Sequence, residues 1–459
     1  MKGTLIASIS GIRGIIGDGL DPEVLVKYAS AFGMWCLGQD SRPTVVVGRD
    51  GRVTGEACMA LVTTTLRFMG LDVIDAGMAT TPTVEMAVIK EGATGGIILS
   101  ASHNPPEWNA LKLLNSRGEF LSPEEGAEVL RLADETKEYT SFDKMGGVRR
   151  EEYLMYHIQK VLDLEFIDSG SIADAQFKIV VDGINSIGGV AIPALLRTMG
   201  IDDQDIVFLN CEPTGIFAHP AEPLPGNLTS TIDRVRDEQA DIGIVVDPDA
   251  DRLALIADGG EYVSEELTQV IAADFLWGFR GGPFVTNLSS SRAIEDVARK
   301  HGNKVFRSSV GEINVVKKMQ EVDAILGGEG NGGIILPDLH YGRDALVGVA
   351  MILQHMVNTG KKLSEIRRDM PEYHMGKKKI LTGDSNPETI LDELKARYSN
   401  DRIDATDGLK IDFDEGWVHI RKSNTEPIMR VYSEAGTASK ADELGERFVT
   451  EVNELAGKG

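Results

Sequence analysis

The sequence predicts an α/β protein of several domains, closed by an α+β segment. Length, an internal repeat and a change of pattern near the C-terminus carry that prediction. A chain of 459 residues is too long for one hydrophobic core, so two to four domains are expected. One unit occurs three times: an apolar strand, a polar loop, a helix closing on Arg-x-x-Gly, and a second strand. Beyond Met370-Pro371 the pattern changes to closely spaced strand candidates flanked by helices.

The first unit places strands at 44–48 and 71–74 around a helix ending Arg67-Phe68-Met69-Gly70. The second has strands at 178–182 and 206–209 and ends its helix on Arg197-Thr198-Met199-Gly200. The third has strands at 283–287 and 304–306 and ends on Arg299-Lys300-His301-Gly302. The terminal glycine suits a left-handed helix cap, and the arginine favours the helix's negative end. Short continuous apolar strands alternating with helices indicate mixed sheets covered on both faces. After residue 371, strands are expected at 377–381, 409–413, 417–421 and 428–432, with helices at 387–398 and 440–456. Boundaries near 150, 254 and 370 give segments 1–150, 151–254, 255–369 and 370–459.

Four short motifs carry chemistry. Ser100-Ala101-Ser102-His103-Asn104-Pro105 follows an apolar strand at 95–99, and its proline stops that strand. Ser102 beside His103 reads as a nucleophile next to a base, although strand neighbours point to opposite faces. Lys112, ten residues on, reaches the same cleft and serves as a general base if its pKa is lowered. Asp247, Asp249 and Asp251 follow the strand 242–246 at i, i+2, i+4, which in an extended segment puts three carboxylates on one side. Crowded carboxylates repel unless a cation joins them, and oxygen ligands without His or Cys favour Mg²⁺. An EF-hand is excluded: the sixth position is Arg252 rather than glycine, and a strand follows. A solvated acidic turn is the other reading, and Arg252, a phosphate-type ligand, tells against it.

Gly327-Gly328-Glu329-Gly330-Asn331-Gly332-Gly333 reads as a flexible loop after a strand at 324–326, and it is no Walker motif. Glu329 accepts hydrogen bonds from hydroxyl pairs and Asn331 both donates and accepts, which fits a polyol, although a plain turn has the same composition. Arg421-Lys422-Ser423-Asn424-Thr425, with Arg430 on the next strand, collects cationic and hydroxyl donors suited to a phosphate dianion. A solvated hairpin is the bland alternative. Ser10-Gly11-Ile12-Arg13-Gly14 and Gly48-Arg49-Asp50-Gly51-Arg52 are weaker Gly/Arg turns, and His340, Tyr341, Arg343 and Asp344 form a polar cluster to which spacing assigns no role.

Composition bounds the partners. With 47 basic and 71 acidic residues the net charge is −24, which argues against nucleic acid or an anionic membrane. An anionic substrate therefore needs a dedicated cationic pocket. Hydrophobic content is 42%, and no apolar run is long enough to span a membrane. The first residues, Met1-Lys2-Gly3-Thr4-Leu5-Ile6, carry no secretory signal pattern, and Cys36, Cys58 and Cys211 are too far apart for a metal site. Both features suit a reducing cytoplasm.

Taken together, the four motifs resemble, in order and spacing from Ser10 to Arg430, the α-D-phosphohexomutase family of phosphoglucomutases, phosphomannomutases and phosphoglucosamine mutases. The resemblance implies four domains in a heart-shaped arrangement, three related α/β domains and a C-terminal α+β domain. It implies that Ser102 carries the transferable phosphate and that His103 assists. It assigns Mg²⁺ to Asp247, Asp249, Asp251 and the Ser102 phosphate. Arg13 and Arg252 resemble contacts to the phosphoserine, Lys112 the general base, and Glu329 and Asn331 the sugar-hydroxyl readers. Arg421, Ser423, Asn424, Thr425 and Arg430 resemble the site for the non-reacting phosphate.

The departures concern the sugar: Asn331 stands where many members have Ser, and Gly333 where many have His. Pro248 and Ala250 occupy positions where glycine is frequent. The expected reaction interconverts hexose 6-phosphate and hexose 1-phosphate through a hexose 1,6-bisphosphate, which also serves as activator. Glucosamine 6-phosphate is the favoured substrate, with phosphomannomutase or phosphoglucomutase activity as the alternative. A Ser/His hydrolase and a non-catalytic sugar-phosphate sensor are the remote ones. The chain is expected to act as a cytoplasmic monomer or homodimer.

Overall fold

Each repeated unit folds as a parallel strand–helix–strand pair. Thr44–Arg49 pairs with Asp72–Met78 across helix Gly55–Phe68, Ile179–Asp182 with Ile206–Leu209 across helix Gly188–Thr198, and Phe284–Asn287 with Val305–Ser308 across helix Ala293–Lys300. In all three the helix ends on the glycine of Arg-x-x-Gly. Gly70, Gly200 and Gly302 have φ of 91°, 93° and 70°, and each amide donates back to the arginine carbonyl. Such a left-handed cap is cheap only for glycine. The computed structural model describes residues 3–8, 11–381, 386–422 and 428–457.

The chain divides into two compact units: Met1–Thr268 with Asn331–Arg367, and Gln269–Gly330 with Arg368–Gly459. The first contains a mixed sheet of strands in the order 6–8, 11–15, 108–114, 95–99, 44–49, 72–78, 148–150. Alternation along one strand shows why both faces are covered. Val45 and Val47 join the core under helices Pro22–Gln39 and Gly55–Phe68, whereas Val46 packs with Val84 and Val88 of helix Thr81–Glu91. All three valines are fully buried, each contributing about 1.5–3 kcal/mol. A second mixed sheet runs 261–263, 253–257, 242–246, 179–182, 206–209, with Val180, Val245 and Ile256 packed on Val235 of helix Thr229–Asp237.

In the other unit, Val305–Ser308, Phe284–Asn287 and Leu326–Glu329 form a parallel ladder. A separate antiparallel sheet has the order 374–381, 428–435, 416–422, 409–412, 402–404. Its apolar side packs Leu394 of helix Pro387–Arg397 and Phe448 of helix Ala438–Leu455 against Ile411, Ile420 and Val431. The edge strand Arg402–Asp404 was not expected, because it has a single apolar residue and none of its residues is fully buried. Among the described residues no helix is long and apolar enough to cross a membrane.

Two expectations are corrected. Glu329 does not sit in a flexible loop: Leu326–Glu329 is a strand, and Gly327 is required there because a Cβ would meet Met319 Sδ at 2.3 Å. Nor are the three aspartates extended. Residues 248–250 form a turn in which Ala250 N donates to Asp247 O at 3.0 Å and Ala250 has φ of 53°. The carboxylates converge because the chain folds back, not because strand alternation puts them on one face.

Candidate active site

Strands Gly95–Leu99 and Ile242–Val246 end in the loops that carry Ser102 and Asp247, the usual position of ligand sites in open α/β sheets. Ser102 is nearly buried, at 6% exposure, and holds a left-handed φ of 46° that a non-glycine residue adopts only under constraint. Part of the constraint is local: Ser102 N donates to Ser100 Oγ at 2.9 Å.

Most of it comes from Arg52, which the sequence shows only as the end of a weak Gly/Arg turn. Its guanidinium donates to the carbonyls of Ser102 (2.6 Å), Asn104 (2.7 Å), Pro105 (2.6 Å) and Trp108 (2.9 Å), and its Nε to Asp50 Oδ2 (3.1 Å). One planar fork therefore holds the whole loop. Arg52→Ala is expected to lower stability by roughly 3–5 kcal/mol, because it strands buried carbonyls and the Asp50 carboxylate. Arg52→Lys should recover little of this, since an ammonium cannot reach four carbonyls at once. Thermal unfolding of the two variants checks the expectation, and a lysine variant of wild-type stability would contradict it.

The turn after Ile242–Val246 brings the three carboxylates to Ser102. Ser102 Oγ donates to Asp247 Oδ2 at 2.6 Å. Asp247 Oδ1 accepts from the amides of Asp251 and Arg252, at 3.1 and 3.2 Å. Asp249 Oδ2 accepts from Lys112 Nζ and Thr81 Oγ1, both at 2.6 Å, and Asp251 Oδ2 accepts from Arg343 at 2.7 Å. The three residues are fully buried, and one oxygen from each lies within 4.8 Å of the others. Asp249 Oδ1 and Asp251 Oδ1 are buried acceptors without a hydrogen bond among the described residues. Two orphaned carboxylate oxygens beside a third carboxylate fit a hard divalent cation.

The surroundings are cationic. Lys112 stands on strand Trp108–Leu114, paired to Ile98, and Arg13 on strand Gly11–Ile15, paired to Ala110. Among the described residues Arg13 Nε and Arg252 Nε are buried donors without a hydrogen bond, suited to an anion. His103 records the resulting field. Arg252, then burial, then Arg343, Arg13 and Lys112, push its pKa down to about 2. Its Nδ1 lies 2.8 Å from Arg252 Nη2 and 3.5 Å from Ser102 Oγ, so its lone pair faces the guanidinium rather than the serine.

The carboxylates divide. Burial, then Asp251 and Asp249, raise Asp247 well above the carboxylate range, whereas for Asp249 burial is outweighed by Lys112 and the pKa is lowered. Lys112 is not lowered. Burial acts in that direction, but Asp249 and Asp251 outweigh it, and the ammonium form is favoured.

In the other unit Glu329 is buried, and its Oε1 accepts from Asn287 Nδ2 at 2.9 Å and Gly311 N at 3.2 Å. Arg421 and Arg430 face each other across the antiparallel ladder, with Lys379 next in the row. Burial lowers the Arg421 pKa, and its Nε makes no hydrogen bond among the described residues. Like charges in cross-strand register are unfavourable unless an anion joins them. Ser423, Asn424 and Thr425 lie outside the described residues. Asn331, in the first unit, turns its Oδ1 to Gly333 N at 3.1 Å.

A serine, a carboxylate triplet and a shell of arginines on repeated α/β folds define a phosphoryl-transfer protein. Residues 6–140, 152–260 and 264–373 match the alpha/beta/alpha domains I, II and III of phosphoglucomutase/phosphomannomutase, and residues 380–451 match its C-terminal domain. The chain belongs to this family, the α-D-phosphohexomutases, and is an isomerase. It is 36% identical to a phosphoglucomutase/phosphomannomutase of Thermococcus kodakarensis, covering 96% of this chain and 98% of that one. It is 35% identical to a probable phosphoglucosamine mutase of Methanopyrus kandleri, covering 96% of each. Its fold is similar to the crystal structure of a phosphoglucomutase/phosphomannomutase family protein from Burkholderia thailandensis, with a TM-score of 0.85 at 23% identity over 99% of this chain and 98% of that one.

Proposed function

We propose that the protein interconverts glucosamine 6-phosphate and glucosamine 1-phosphate through a phosphorylated Ser102 and a bound 1,6-bisphosphate. The observation that carries this reading is the 2.6 Å contact between Ser102 Oγ and Asp247, at the mouth of a carboxylate triplet with two orphaned oxygens. Asp247, Asp249 and Asp251 would hold Mg²⁺, which when bound neutralises charge on the transferring phosphoryl group.

The chain's own groups do the rest. Arg13 and Arg252 hold the serine phosphate through their Nε and terminal donors. The P–Oγ bond of Ser102 breaks as the sugar oxygen bonds to phosphorus, and the proton that the sugar hydroxyl gives up ends on Oγ, which leaves as the serine hydroxyl. Lys112 holds its proton at Nζ while it faces Asp249 and Asp251. It takes the sugar proton only when that hold is loosened, and until then it acts as a cation. The second half-reaction returns the other phosphate of the bisphosphate to Ser102. Arg421 and Arg430, with residues 423–425, bind the phosphate that is not in transfer, and Glu329 accepts from sugar hydroxyls.

His103 weighs against a hydrolase, because a base whose lone pair faces Arg252 cannot take the Ser102 proton. The glucosamine assignment is supported by the relatives called probable phosphoglucosamine mutase, at 29–35% identity. Phosphomannomutase or phosphoglucomutase activity is the second reading, supported by the name of the Thermococcus kodakarensis relative. Competing glucosamine, mannose and glucose 6-phosphates with bisphosphate and Mg²⁺ decides between them. The highest kcat/KM is expected for glucosamine 6-phosphate, and equal values, or a lead for mannose or glucose, would overturn the assignment.

A further inference from the structure

Behind the aspartate turn lies a closed ring of buried polar side chains. Thr83 and Glu85 project from one helix, Thr81–Glu91. Thr83 Oγ1 is 3.0 Å from His157 Nδ1, and His157 Nε2 is 2.9 Å from Asp344 Oδ2. His340 Nε2 is 3.4 Å from the same Asp344 oxygen, and its Nδ1 makes an ion-pair contact of 3.0 Å with Glu85 Oε2 without hydrogen-bond geometry, the helix backbone between Glu85 and Thr83 completing the ring. All five residues are buried.

The residues beside two ring members hold the turn. Thr81 donates from Oγ1 to Asp249 Oδ2 (2.6 Å) and from its amide to Asp249 O (2.9 Å). Arg343 donates to Asp251 Oδ2 (2.7 Å), and Ala345 N donates to Ala250 O (3.2 Å). The two arms that grip Asp249 and Asp251 are therefore parts of the segments that the ring ties together.

We propose that the Thr83–His157–Asp344–His340–Glu85 ring is a positioning device that fixes the spacing of the Asp249 and Asp251 carboxylates, and with it the affinity of the site for a divalent cation. The inference rests on the reading of the triplet as a cation site. The ring itself is an ion-pair network rather than a second metal centre. His157, His340 and Asp344 do bring ligand atoms within 4.8 Å of one another. Three of the four imidazole nitrogens, however, are already hydrogen-bonded, the fourth, His340 Nδ1, is ion-paired with Glu85, and Asp344 Oδ1 is committed to capping helix Ala345–Thr359 through Leu346 N at 2.8 Å. Burial disfavours charge on His340, but Asp344 and Glu85 outweigh it and raise its pKa to about 10.

Mn²⁺ binding to the metal-free protein, read by electron paramagnetic resonance, tests this without recourse to turnover. Outer partners that orient a metal's ligands typically change its affinity by roughly 10–100-fold, so Glu85→Ala and His340→Ala are each expected to weaken Mn²⁺ binding about tenfold. Glu85→Gln keeps the shape but removes the charge of the ion pair with His340, and should weaken binding less than Glu85→Ala. Leu66→Ala, which lowers stability in the core under helices Pro22–Gln39 and Gly55–Phe68, away from the ring, should bind Mn²⁺ like wild type. If His340→Ala fails to fold, Thr83→Val makes a milder break and carries the same expectation.

Wild-type Mn²⁺ affinity in folded ring variants, or an equal loss in Leu66→Ala, would overturn the positioning role. So would stoichiometric zinc in the purified protein that disappears with His340. Asp249→Asn separates the two layers of the argument. If it leaves Mn²⁺ binding intact, the cation-site reading itself fails. If it abolishes binding while the ring variants bind normally, only the positioning role fails.

Discussion

Ser102→Ala is expected to lower kcat by at least about 10⁴-fold, because loss of a covalent nucleophile removes the reaction path rather than one favourable contact. The variant should remain folded. Ser102 is nearly buried but carries little of the core, and the loop around it is held by Arg52 and Ser100 rather than by Oγ. Binding of the sugar phosphate should persist, since the proposed anion contacts lie on Arg13, Arg252, Arg421 and Arg430. Steady-state kinetics and a binding isotherm on the same preparation check both statements. Turnover within tenfold of wild type would place the phosphoryl carrier elsewhere.

The second large effect separates two neighbouring carboxylates. Asp247→Asn and Asp249→Asn should each lower kcat/KM by on the order of 10³-fold, since several kcal/mol of charge stabilisation in the transition state depends on the cation they hold. Their effects on the metal-free protein should differ in sign. Asp247 is raised by burial and by its two carboxylate neighbours, so its ionisation opposes folding. A carboxyl whose folded pKa lies above its unfolded one makes the protein lose stability as pH rises through that interval. Asp247→Asn removes that loss, and the melting temperature without metal should hold or rise at neutral pH.

Asp249 is lowered because Lys112 outweighs burial, so its charge supports the fold above the ordinary carboxylate range. Asp249→Asn leaves Lys112 with Asp251 alone, at 3.4 Å, and should cost roughly 3 kcal/mol. Melting curves in chelator at neutral pH decide. Equal destabilisation by the two variants would contradict the division of charge described here.

What could be read from the residues, and what could not, follows the range of the interactions. The three Arg-x-x-Gly units were legible because a helix cap is local: its donor and acceptor lie within four residues. The Asp247, Asp249, Asp251 triplet was legible as composition, but the reason it converges was not. A left-handed Ala250 is a conformation its sequence disfavours, so alternation along a strand looked sufficient. Lys112 meets Asp249 at 2.6 Å, and its charge state depends on two carboxylates more than 130 positions away, which spacing alone does not show.

The role of Arg52 was hidden for a different reason. Its four loop partners are backbone carbonyls, which every residue has, so no side-chain pattern marks them. The His340 cluster was noticed but given no role, because its partners Glu85 and His157 come from segments far away in the chain. Arg402–Asp404 became a strand by pairing with Leu409–Asp412, a tertiary effect that its own polar composition does not announce.

In the proposed reaction a serine oxygen beside three acids is the resting place of the phosphoryl group. Phosphopeptide mapping after incubation with hexose 1,6-bisphosphate and Mg²⁺ tests it most directly. One phosphoryl group is expected on the peptide containing Ser102, and it should be discharged when hexose 6-phosphate is added. Phosphate on another residue, or turnover with no phosphopeptide formed under any of these conditions, would contradict the account.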